Sequence, residues 1–200
     1  MKFFLISLLT SFSVYYANCQ TNSAKRISPL TDTEFEREFQ FETQKGKLHF
    51  NHDGTFNITN EEGTQKGKIS LDQYFEIHKL YFYHQNANLF LFLELTDGID
   101  SYVQVNCVSL KDLSTTWTHV SAGLNLTESV IEDSKAYLAH INFVGCLDLN
   151  TGTTLWSLEN LYNSFKITYF KQIELTESSV KFKYGTKSLD FNKISGERLN

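Results

Sequence analysis

CLDLNTGTTLW, residues 146–156, decides how this 200-residue chain is read. Leu147 and Asp148 close an apolar run. The Asp148 carboxylate can accept amide hydrogen bonds from the turn it precedes, and Gly152 can take the positive φ of a tight reversal. Trp156 then stands on the returning strand, where an indole burying roughly 150 to 250 Å² can wedge between adjacent sheets. Cys146 sits where a larger side chain would push those sheets apart.

The phrase recurs. CVSLKDLSTTW, from Cys107 to Trp117, has the same length, and the two cysteines and the two tryptophans each stand 39 positions apart. A weaker copy, SLDFNKISGERL, starts at Ser188 and keeps Leu189, Asp190 and, after a two-residue insertion, Gly196. Spacing of this size, carried by four-stranded units, is the signature of propeller blades.

CLDLNTGTTLW resembles the quinoprotein-type (pyrroloquinoline quinone, PQQ-like) β-propeller repeat. That repeat runs as a small residue, Leu, Asp, two variable positions, Thr, Gly and then Trp. Here these are Cys146, Leu147, Asp148, Thr151, Gly152 and Trp156. The copy at Cys107 keeps Trp117 but has Ser109 for the aspartate and Leu113 for the glycine, and the copy at Ser188 reaches no tryptophan. The resemblance covers residues from about 79 onward. It implies an all-β fold of antiparallel four-stranded β-meander blades, a small or partial β-propeller of about four units: 44–78, 79–117, 118–156 and 157–200. EREFQFET, residues 36–43, is expected to pair with the last unit and close the ring. An open stack or an assembly of two chains is the competitor. The resemblance implies the scaffold and not the cofactor. Similar dehydrogenases use about eight blades and a calcium-holding funnel, and this chain has neither that size nor an adjacent cysteine pair. No cofactor is therefore expected.

The rest of the chain agrees with β structure. It holds one proline, ten tyrosines and seventeen phenylalanines, a composition suited to half-buried pleated surfaces. NLFLFLEL contains five consecutive apolar residues, Leu89 to Leu93, which predicts burial on both faces of a strand. TDTEFEREF, residues 31–39, reads equally as helix or strand. With 41% hydrophobic and 20% charged residues the chain can bury a core, and a net charge of −5 argues against a nucleic-acid partner.

At the N-terminus, Lys2 precedes an apolar run from Phe3 to Ala17 and then small or polar residues. This is the layout of a secretory signal peptide, here residues 1–19, followed by a linker over 20–35 and the propeller-like domain over 36–200. Cleavage after Cys19 is preferred to lipidation of Cys19, because Asn18 is a poor residue before a lipidation site. The mature chain is expected outside the cytoplasm, secreted or periplasmic, without a transmembrane segment. Cys107 and Cys146 there invite a disulfide. Equivalent positions in neighbouring blades, however, lie about one sheet spacing apart, ~10 Å, beyond the Cα separation of about 7 Å that a disulfide tolerates. Free, buried thiols are expected. Asn57-Ile58-Thr59 and Asn125-Leu126-Thr127 are sequons of use only in a eukaryotic source.

No residue pattern names a reaction. His49 and His52 beside Asp53 read as an Asp-Gly hairpin rather than a metal site. His78 and His84 read as core or strand-end histidines, and TDGID, residues 96–100, as a turn rather than a calcium loop. Tyr81, Phe82 and Tyr83 read as buried between sheets rather than as an exposed anchor. No serine elbow, phosphate loop or dinucleotide glycine motif is present, so no catalytic, cofactor-binding or metal residue is assigned. The reading is a non-catalytic module that binds a protein or surface ligand. A lipocalin-like barrel holding an apolar ligand, suggested by KLHFNHDGTFNIT followed by TQKGKI, and a small extracytoplasmic enzyme are the alternatives.

Overall fold

The computed structural model describes residues 22–23, 38–43, 46–71 and 75–199. The expected leader, residues 31–37 and most of the expected linker lie outside them.

The described strands form four antiparallel sheets in chain order. Sheet 1 holds β2 (Glu38–Thr43), β3 (Gly46–Asn51), β4 (Thr55–Asn60) and β5 (Gly63–Lys68). Sheet 2 holds β6 (Glu76–Gln85), β7 (Asn88–Thr96), β8 (Ser101–Ser109) and β9 (Thr115–Ala122), with the two-residue β1 (Asn22–Ser23) paired to β6. Sheet 3 holds β10 (Val130–Glu132), β11 (Lys135–His140), β12 (Phe143–Asp148) and β13 (Thr154–Glu159). Sheet 4 holds β14 (Gln172–Leu175), β15 (Ser179–Tyr184) and β16 (Lys187–Asn192). Apart from β1 on β6, the described pairings join strands consecutive in the chain, the expected meander pattern of partial-propeller blades.

Local chemistry makes the meanders. Asn86, Asp133 and Gly185 each open a two-residue loop, at φ of 56°, 54° and 53°, between strand ends paired at Gln85↔Asn88, Glu132↔Lys135 and Tyr184↔Lys187. Positive φ there matches the right-handed twist of the flanking strands. In the β3–β4 hairpin Gly54 has φ 79° and Asp53 accepts the Thr55 N–H at 2.9 Å, so HFNHDG is a turn as its sequence predicts.

Three apolar clusters bind the sheets face to face. One joins Leu48, Phe50, Phe56 and Ile58 of sheet 1 to Leu89, Leu91, Leu93 and Leu95 of β7. The second joins Phe90 and Phe92, on the other face of β7, to Ala136, Leu138 and Leu147 of sheet 3. The third joins Tyr137, Val144 and Cys146 to Val180, Phe182, Leu189 and Phe191 of sheet 4. The run in β7 is thus buried on both sides, as its lack of alternation requires. Phe82 lies in the first cluster, while Tyr83 lies in the second with Tyr81 packed against it.

Four expectations change. EREFQFET does not complete the last sheet: its residues 38–43 pair with β3, because a neighbour two residues away closes a far smaller loop than a strand some 150 residues on. Unit boundaries drawn at Trp117 and Trp156 fall inside β9 and β13, which run on to Ala122 and Glu159 before the linkers begin. A short helix, α1 (Leu161–Phe165), lies in the second of the two linkers between sheets, residues 160–171 between β13 and β14, where none was expected. The phrase read as lipocalin-like is β3–β4–β5, whose apolar side chains cover sheet 2 rather than the inside of a barrel.

The two outward faces of the stack are polar. Lys47, Lys66, Lys68, Asn57 and Thr59 lie opposite the buried face of sheet 1. On sheet 4, Lys181 meets Asp190 at 3.6 Å and Lys183 pairs with Glu174.

Candidate functional site

The repeat residues build the joints between sheets. Trp117 on β9 is the Cα partner of Cys107 on β8, and Trp156 on β13 is the partner of Cys146 on β12, with a bulge immediately after each cysteine. Each indole leaves its own sheet and seats on the turn of the next. The Trp117 N–H donates to Leu149 O at 3.2 Å, and the Trp156 N–H to Lys193 O at 3.3 Å. A Cβ added to Gly152 would stand 2.5 Å from the Trp117 ring, and one added to Gly196 would stand 2.3 Å from Trp156. The glycines are required twice, by contact and by φ of 74° and 69°. Phe191 stacks on Trp156 with ring centroids 5.3 Å apart.

The turns beneath are alike. Asp148 accepts the Asn150 N–H at 2.8 Å on its carboxylate, and its carbonyl accepts the Gly152 N–H at 2.7 Å. Asn192 does the same for Ile194, at 2.9 Å, and for Gly196, at 3.0 Å. Asn192 thus holds the place expected for Asp190, which lies two residues earlier on β16 and pairs with Lys181. Leu189 is fully buried in the third cluster. Ser109 makes the first such turn, accepting the Lys111 N–H at 3.2 Å, and Leu113 stands at the glycine position with φ 58°. No tryptophan precedes it in the sequence, and Leu113 is buried there itself. Thr151 is exposed and bonds Thr153 Oγ1 at 2.8 Å. Cys107 and Cys146 are free and buried, and burial raises both thiols, that of Cys146 to about 11. Neither is poised as a nucleophile.

The sequence reading missed two polar groupings. The first is Ser121 Oγ, 2.8 Å from Nε2 of the fully buried His140. A serine needs a base that takes a proton near neutral pH, held by a third group on its far nitrogen. Burial, with the neighbouring His119, pushes His140 down to about 3, and its Nδ1 has no hydrogen-bond partner. A Cβ on Gly123 would sit 2.2 Å from that nitrogen. The pair is a packed interior contact and not a catalytic dyad.

The second is a charged knot under a cleft of about 400 Å³, lined by Glu76, His78, Glu94, Asp97, Leu124 and neighbours. Glu94, only 3% exposed, accepts the Leu126 N–H at 2.7 Å and lies 3.5 Å from the Lys79 ammonium and 3.9 Å from His78. Lys79 in turn donates to Leu126 O at 2.6 Å. Together they clamp the first linker, residues 123–129, onto sheet 2. Their position follows from the strands: Glu94 continues the Phe90–Phe92 face of β7, and a bulge between Ile77 and Lys79 re-aims β6. Asn125 reaches on to Thr168 O of the second linker at 3.0 Å, so the linkers lie abreast at this end. At the lip, Asp97 accepts the N–H groups of Ile99 and Asp100, which hold its carboxyl below the usual range and make TDGID a turn. Ile99 projects from that turn 91% exposed, and Leu124 is 39% exposed. Among the described residues, no group of three or more His, Cys, Asp and Glu side chains is gathered as metal ligands.

No family model and no curated protein matches the chain. Among solved structures it is similar to BamB from Moraxella catarrhalis, at 11% identity and TM-score 0.40 over 80% of this chain and 61% of that one. It is similar to a europium-containing methanol dehydrogenase at 11% identity and TM-score 0.43 over 66% and 28%, and to the computationally designed Ika8 protein at 9% identity and TM-score 0.27 over 80% and 56%. The chain thus spans about three fifths of that BamB chain and under a third of the dehydrogenase. The propeller-type arrangement rests on the sheets, their register and the tryptophan joints.

Proposed function

We propose that the chain is a secreted or periplasmic, non-catalytic interaction module that binds a protein at the linker end of its sheets. One observation carries this reading: Ile99 and Leu124 stand exposed beside the cleft at an end held rigid by the Glu94–Lys79–Leu126 clamp. Apolar side chains presented on fixed loops around a concavity suit a protein partner, because their burial drives association while the scaffold stays ordered. Among the described side chains, the outward faces of sheets 1 and 4 are polar and offer no comparable apolar area. The order of Lys2, an apolar run from Phe3 to Ala17 and then small or polar residues supports a module that acts outside the cytoplasm after cleavage following Cys19; among the described residues no helix is long and apolar enough to cross a membrane.

The test is a photo-reactive residue placed at Ile99, with a control at Lys66 on the outward face of sheet 1, in cells that make the protein. An adduct from position 99 and none from 66 is expected, with the mature chain beginning at Gln20. Equal labelling from both positions, or none from 99, removes the proposal.

A further inference from the structure

The cleft also says what kind of segment it receives. Its carboxylates come from three places: Glu76 at the start of β6, Glu94 on β7 and Asp97 in the following turn. The cation beside them, Lys79, is engaged with Glu94 and the Leu126 carbonyl. Glu94 is covered by its clamp, whereas Glu76 is exposed and Asp97 stands at the lip. The mouth is therefore negative, and its apolar contacts lie on the same rim, with Leu124 in the wall and Ile99 next to Gly98. A polyanion or an anionic membrane surface meets repulsion at this mouth; a cationic side chain gains from it.

We infer that the partner is an extended protein segment that places a lysine or arginine beside Glu76 and Asp97 and an apolar side chain against Leu124 and Ile99. This rests on the binding-module reading above and gives it a ligand chemistry. Arginine suits the site well, since its planar fork bonds a carboxylate while its stem covers apolar surface. A segment running across the end would next meet the second cleft, about 330 Å³, between Thr127–Ile131 and Lys171–Ile173.

The experiment uses the mature chain and fluorescein-labelled decapeptides of alternating Arg and Leu, with companions in which Glu replaces Arg or Ser replaces Leu. Fluorescence anisotropy is read at about 50 and 500 mM salt, where screening lengths differ severalfold. Binding of the Arg-Leu peptide alone is expected, weakened at least tenfold by high salt or by Glu76→Lys and about fivefold by Ile99→Ser. Glu177→Lys, the same charge change on the β14–β15 turn at the opposite end of the sheet, is the control and should leave affinity unaltered. If the Glu-Leu peptide binds as well, or Glu177→Lys weakens binding as much as Glu76→Lys, the inference falls. If position 99 cross-links a partner while no Arg-Leu peptide binds, the inference falls and the module reading stands. If neither occurs, both fall.

Discussion

Acidification should destabilise this protein through His140. The ring is fully buried between sheets 2 and 3, stacked on Phe143 at 5.2 Å, and its proton affinity is pushed from 6.5 down to about 3. The unfolded chain takes up a proton below about pH 6.5, while the folded chain refuses it until about pH 3. Stability is therefore complete above the unfolded value and is lost as the pH falls between the two. At pH 5 the deficit is 1.5 pH units, and at 1.36 kcal/mol per unit this costs about 2 kcal/mol. The lowered proton affinities of His119 and His84, each from burial first, act in the same direction.

The assay is urea denaturation at pH 7.5 and pH 5.0 of the natural chain and of His140→Phe. Phenylalanine keeps a ring on Phe143 and leaves half-exposed Ser121 to water. The natural chain should lose about 2 kcal/mol more between the two pH values than the variant does. Equal losses would show that His140 is not held neutral by its surroundings and would refute the reasoning.

Two further substitutions address the joints. Trp156→Ala removes the indole from Phe191 and the Lys193 carbonyl and should cost about 3 kcal/mol, lowering the thermal midpoint by about 6 to 12 °C; an unmoved midpoint would reject the wedge. Gly152→Ala should cost about 1 to 2 kcal/mol for its φ plus the collision with Trp117, and the collision part should vanish in a Trp117→Ala background. Additive losses in that cycle would mean the ring does not rest on the turn.

The joints were legible because they demand particular residues. An indole, a facing small residue and a positive-φ glycine leave a fixed spacing in the chain, and the spacing of 39 between the first two copies is real in the structure. The third copy was misplaced by two residues because Ser188-Leu189-Asp190 looks like the start of the phrase. The turn, however, needs only a side-chain oxygen that accepts amide N–H groups, which Asn192 supplies as well as Asp148 does. The turn-to-turn distance, Asp148 to Asn192, is 44 rather than 39, and the extra five residues match the longer second linker, 160–171 against 123–129, which holds α1. Glu94 carried a faint signal, a carboxylate inside NLFLFLEL on the buried Phe90–Phe92 side. Its partners Lys79 and Leu126 lie on other elements, and no periodicity links them. The Ser121–His140 contact was invisible for the same reason.

The joints also have a direction, and it bears on where a partner can sit. Trp117 of sheet 2 seats on sheet 3 and Trp156 of sheet 3 seats on sheet 4, so each sheet leans on its successor. Apposing sheets 4 and 1 to close a ring would take the Lys181–Asp190 and Lys183–Glu174 pairs of one face and Lys47, Lys66 and Lys68 of the other out of water, at a desolvation cost. Among the described residues no apolar cluster joins those two sheets. Among the described side chains, the outward faces of sheets 1 and 4 are polar. The exposed rims of the stack are then its strand ends, and of these the linker end combines an aligned pair of linkers, a charged cleft and unburied aliphatic side chains.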